Sequence, residues 1–128
     1  MLREILLMMI TFIALDIIWF SMSVNPIYKP TILNIQKEPL EMKLLGGLFA
    51  WLLLAIGLYV FVLPLSNNLT NALIYGALYG FIVYGVYNGT NYAILKNYDL
   101  KVSLADLSWG IVVSTITAGI SYKYIKSN

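Results

Sequence analysis

The sequence predicts an all-α integral membrane protein, a bundle of four transmembrane helices. Apolar residues fill 60% of its 128 positions and charged residues only 11%, against about 25% charged in a soluble domain. The mean hydropathy is +0.80. The charges stand between long apolar runs, and a helix that crosses the hydrocarbon needs roughly 20 such residues. These runs are far longer than the roughly 10 alternating residues of a barrel strand, so a β-barrel is not expected.

Four segments qualify as spans: residues 5–22, 44–63, 71–95 and 103–122 of one unit covering 1–128. The first has some features of a signal peptide, with Arg3 ahead of it and Ser21-Met22-Ser23 as a small-x-small site. The length of the run and Asp16 within it argue for a permanent helix instead. The connection from Ser23 to Lys43 carries Pro26, Pro30 and Pro39 and the charges Lys29, Lys37, Glu38, Glu41 and Lys43. Proline at that density opposes a continuous helix, so a short interfacial segment is expected there. Pro64–Thr70 is uncharged and reads as a tight turn, and Lys96–Val102 is short too. Spans two, three and four should therefore run antiparallel to their neighbours.

Lys29, Lys37, Lys43, Lys96 and Lys101 fall on one side, against Arg3, Lys123 and Lys126 on the other. By the positive-inside rule this favours a cytoplasmic 23–43 loop and both termini outside. A net charge of +2 without a basic run gives no sign of nucleic acid. The chain has no Cys and no His. That removes disulfides, thiolate nucleophiles, Cys or His metal sites and any Ser-His-Asp triad. No metal or cofactor is indicated, and the expected surroundings are lipid.

The third span is suited to close helix contact. Gly76 and Gly80 form one G-x-x-x-G pair, and Gly85 and Gly89 a second. In lipid, where burial gives helices no reason to associate, small residues let backbones meet. Gly110 in span four has the same reading. Following Gly76, Gly80, Tyr84 and Tyr87 to Asn91 traces one face, with Asn88 beside it.

Two carboxylates lie inside spans, Asp16 and Asp106. A charged Asp at mid-bilayer costs about 2.5–3.5 kcal/mol on insertion scales, so such residues face protein or water. Chain direction places Asp16, Asn88, Thr90, Asn91 and Asp106 in one leaflet, and Trp19 and Trp109 follow the two Asp at i+3, on the same faces. If these helices converge laterally, they enclose a polar pocket walled by Trp and Tyr. Simpler roles also fit. Ser103 to Asp106 matches a capping box, the two Trp suit a headgroup-level belt, and the amides suit interhelical hydrogen bonds. Asp16 has no cap to make and needs a partner or a proton.

These residues also carry a family resemblance. The chain resembles the small four-helix membrane proteins catalogued as domain of unknown function 2177, in Leu15-Asp16-Ile17-Ile18-Trp19, in Tyr84 through Ala93, in Leu100-Lys101-Val102 and in Asp106-Leu107-Ser108-Trp109-Gly110. The resemblance implies the four-helix fold and the polar cluster, and brings no activity with it. Its pattern favours Asp where this chain has Asn88 and Trp where it has Tyr98. The missing carboxylate speaks against a three-carboxylate metal site.

The residues favour transport of an ion, a proton or a small polar solute through the cluster. So small a bundle would then work as an oligomer. A lipid-binding or lipid-modifying protein and an accessory subunit packing through its glycine faces are the alternatives. Acid–base catalysis would rest on carboxylates alone, so an enzyme is the less favoured reading.

Overall fold

Leu2 to Gln36 form an almost unbroken helical rod, the first of four helices in a computed structural model that describes residues 1–126. The last two positions of the expected 1–128 unit lie outside the described residues. Helix α1 spans Leu2–Ser23, passes through a π turn at Val24–Tyr28 and continues as α2, Lys29–Gln36. This corrects the expectation that the prolines end the helix near Met22. The wider π turn holds Pro26, and Pro30 falls in the first turn of α2, where its missing N–H costs least. The rod stops at Lys37, whose φ of 63° is left-handed and whose N–H still reaches the Leu33 carbonyl.

Helix α3, Leu44–Gly57, extends through a second π turn to Val62 and a tighter turn at Leu63–Leu65. Lys126 Nζ donates to the Leu63 and Pro64 carbonyls at 2.8 and 3.1 Å, satisfying acceptors left open at that helix end. Helix α4, Leu69–Ile94, begins where the Asn68 side chain accepts from the Asn71 N–H at 2.8 Å. Helix α5, Leu100–Ser121, is capped by Asp99, which accepts from the Val102 N–H at 2.8 Å. The proposed capping box is thereby corrected. The cap lies four residues before Ser103, and Asp106 is left two turns inside the helix with its carboxylate free for other partners.

Helices α4 and α5 form the closest pair, and the reason is the first glycine pair. A Cβ on Gly76 would stand 2.6 Å from the Ala118 Cβ and 2.8 Å from the Ser114 carbonyl oxygen. One on Gly80 would collide with the Gly110 carbonyl, and one on Gly110 with the Tyr84 ring. The second pair does not pack in this way. Gly85 would meet only Leu107, at 3.8 Å, and Gly89 nothing within 4 Å. The packed face advances in steps of four, Gly76, Gly80, Tyr84, Asn88, and so leaves Tyr87 outside.

Helix α1 packs against α3 and α5, and α4 meets the α3 rod through its last turns, Leu58–Leu65. Met8, Phe12, Ala55, Leu58 and Val113 are completely enclosed at the centre. Large side chains such as Ile17, Phe49, Phe61, Phe81 and Val86 point outward instead. An apolar belt of this extent needs lipid around it. The molecule is a multi-pass integral membrane protein.

Candidate functional site

Asp16 is 4% exposed, one turn before Trp19 on α1. Its two oxygens are held separately: Trp51 of α3 donates its indole N–H at 2.7 Å, and Trp109 of α5 donates at 2.6 Å. One carboxylate thus ties three helices together. Trp109 also stacks on Trp19, with centroids 5.1 Å apart and planes 6° from parallel. Neither indole serves as an isolated belt residue, which corrects that alternative. Their N–H groups are committed inside the protein, because an unmatched indole donor at this depth would be costly.

Asp106 is held in the same manner. Tyr28, from the π turn after α1, donates to one oxygen at 2.5 Å, and Asn88 Nδ2 donates to the other at 2.7 Å. The Tyr28 hydroxyl in turn accepts from Trp19 at 3.0 Å. Asn88 also donates to the Tyr84 carbonyl at 2.9 Å and accepts from the Tyr98 hydroxyl at 2.5 Å. Every polar atom of this buried amide is used. An Asp at position 88 would instead face Asp106 as a second carboxylate unless one of them held a proton. Tyr98 comes from the turn between α4 and α5, and burial pushes its phenol up to about 12. It also contacts Asn91.

Beside the carboxylates lies a cleft of about 570 Å³, within the 300–1,000 Å³ typical of small-molecule sites. Asp16 and Asp106 contribute to its lining, and Ala50, Trp51, Leu54, Tyr79, Val83 and Tyr84 make much of the wall. Tyr79 donates to the Leu54 carbonyl at 2.9 Å and bridges α3 to α4. Leu53 and Tyr87 at the rim are about half exposed. The cleft therefore opens sideways between α3 and α4, on the surface that lipid covers, and Met42 extends its rim toward the 23–43 loop.

The family described as "Predicted membrane protein (DUF2177)" matches residues 1–123. The chain belongs to this family. Searches among curated proteins and among solved structures return no match. Within the residues matched to DUF2177, the stretch from Tyr84 to Gly110 supplies Asn88, Asp106 and Trp109 to the network just described.

Of the residues expected at the site, Asp16, Trp19, Asn88, Asp106 and Trp109 come together in one hydrogen-bonded and stacked cluster. Tyr84 and Tyr87 line the cleft. Asn91 contacts Tyr98 and is not part of the cleft wall, and Thr90 is exposed. Three members were not anticipated: Tyr28, Trp51 and Tyr98. Trp51 lies in an apolar span with nothing polar at helical spacing to single it out. Tyr28 falls in a segment expected to be interfacial, and Tyr98 in a turn. An indole in mid-span and a phenol beside a proline were the available signals.

The four donors that hold the two carboxylates are indoles, a phenol and an amide, all uncharged. Among the described residues, no Lys or Arg forms an ion pair with either one. Each carboxylate oxygen accepts one of these hydrogen bonds and keeps a second lone pair, so a proton or cation taken up by Asp16 or Asp106 shares its oxygen with one of those donors.

Proposed function

We propose that this protein carries protons or a small cation across the bilayer, with Asp16 and Asp106 as the groups that take up the charge. The observation that supports this is the pair of carboxylates inside a membrane bundle, held by neutral donors only, beside an open cleft. Intramembrane carboxylates of this kind mark ion and proton pathways. Charge uptake weakens the hydrogen bond that Trp51, Trp109, Tyr28 or Asn88 makes to the same oxygen, because the acceptor loses its negative charge. Trp51 and Trp109 lie on different helices, so uptake at Asp16 loosens a contact that ties α1 to α3 and α5. That gives binding a means of altering the packing.

The test is flux into proteoliposomes carrying a pH-sensitive dye, driven by an imposed potential, for wild type, Asp16→Asn and Asp106→Asn. Wild type should conduct, and both variants should lose the flux. Neither change is neutral for the fold, since Asn has one acceptor where two donors must be met. Each variant should therefore melt lower, by the roughly 1–3 kcal/mol of an unsatisfied buried donor. Folded wild-type protein with no flux of protons or monovalent cations would overturn the proposal.

A second reading draws on the apolar cleft wall, which suits a lipid or amphipathic molecule entering from the bilayer. Mass spectrometry of protein extracted from membranes tests it. A stoichiometric lipid lost on Ala50→Phe, which fills the cleft, would favour binding over transport.

A further inference from the structure

On α5, beyond the Asp16–Trp109 contact, lie three hydroxyls that the site does not use. Ser114, Thr117 and Ser121 are 0% exposed, and none of their side-chain oxygens has a hydrogen-bond partner. Other hydroxyls in these helices behave differently. Thr11, Ser23, Ser66, Ser103 and Thr115 each donate to the carbonyl four residues earlier, at 2.6 to 3.1 Å. That bond is the ordinary way for a Ser or Thr to settle inside a membrane helix. The three without it are not scattered: spacings of three and four residues set them on one face.

Their position along the helix gives this face a direction. Asp106 belongs to the same side of α5, and Ser114 follows about 12 Å further along at 1.5 Å per residue. Ser121 lies about 10 Å beyond Ser114 on the same rise. One turn past Ser121 stands Ile125, which with Tyr124, Arg3, Glu4 and Leu7 lines a second cavity of about 400 Å³. That cavity lies at the end of the bundle where the chain begins. The hydroxyls therefore occupy the interval between the Asp16–Asp106 site and a recess on the opposite face of the membrane.

Buried hydroxyls in native proteins find partners, and where protein atoms do not supply them, ordered water does. We infer that Ser114, Thr117 and Ser121 line a file of water molecules that leads protons from the recess at the chain termini to the Asp16–Asp106 site. The inference rests on the proposed transport by supplying it with a route through the second leaflet. The lateral cleft serves the site from the other side. A hydroxyl accepts a proton from one water and releases another to the next, so nothing is consumed. Val113, completely enclosed on the same helix, has an all-carbon side chain that offers water no hydrogen-bond partner.

The chain contains no cysteine, so a single introduced thiol reports on its own surroundings. Ser114→Cys, Thr117→Cys and Ser121→Cys are placed in the full-length protein in lipid vesicles and transferred to D2O. Infrared spectroscopy then follows exchange of S–H for S–D. All three thiols should exchange promptly, whereas Val113→Cys, equally buried on the same helix, should keep its S–H band. Three thiols that exchange no faster than the one at position 113 would overturn the inference. The combined variant Ser114→Ala, Thr117→Val, Ser121→Ala should melt at or above the wild-type temperature and lose proton flux. Undiminished flux would equally overturn the relay. If the thiols exchange while wild type conducts no protons, the hydrated file stands and the transport proposal fails.

Discussion

Asp16 and Asn88 show how individual side chains make the site. Each is a buried polar group whose hydrogen-bonding atoms are matched one for one, by two indoles at Asp16 and by a carbonyl, a carboxylate and a phenol at Asn88. Full satisfaction is what makes such a network tolerable inside a membrane. Tyr98 offers a way to measure it. Burial raises its phenol from the ordinary 10 to about 12, so the folded state holds the proton more tightly than the unfolded chain. Its stabilising contribution is complete below pH 10 and is lost as the pH rises through about 12. The melting-temperature gap between wild type and Tyr98→Phe should be constant up to pH 10 and close over that window. A gap that does not change with pH would show that the phenol titrates alike in the folded and unfolded chain.

Among the elements, the α4–α5 pair and the α1–α2 rod do most to place the site. Gly76 and Gly80 bring α4 against α5, and this proximity is what lets Asn88 reach Asp106. Gly80→Ala should force the two backbones apart and cost about 1–3 kcal/mol, as overpacking does, whereas Gly89→Ala should leave the melting temperature unchanged because its Cβ meets open space. Equal effects at the two positions would contradict the observed packing. The π turn at Val24–Tyr28 acts at a distance. It carries the helix past its prolines and directs Tyr28 onto Asp106, 78 positions along the chain. The glycine pattern was visible in the sequence, but which of its two pairs made contact was not. Both have the same spacing, and only the angle at which α5 crosses α4 separates them.

For the whole molecule, the decisive feature is the angle between α3 and α4. The two rods meet near Leu58–Leu65 and separate toward Leu44, which opens the cleft that reaches both carboxylates. Ala50 faces this space. The change Ala50→Phe should fill the cleft without disturbing the Asp16 hydrogen bonds. Flux should fall while the melting temperature holds or rises, which flux and melting measured on one preparation would check. A fall in both would place Ala50 in the packing instead of at an entrance.

The sequence by itself determined the four spans, the surrounding lipid and the shared depth of Asp16, Asn88 and Asp106. Hydropathy, helix rise and chain direction are local or one-dimensional properties, and they suffice for these conclusions. Tertiary structure alone decided that the two Asp are held by neutral donors, that Trp51, Tyr28 and Tyr98 join them, and that Asp99 instead of Ser103 caps α5. It also decided that the proline-rich connection continues the first helix. A hydrogen bond between Asp16 and Trp109 depends on how helices cross and rotate about their axes. In lipid that rotation is set by close packing at glycines and by the matching of buried polar groups, which no single helix's sequence records.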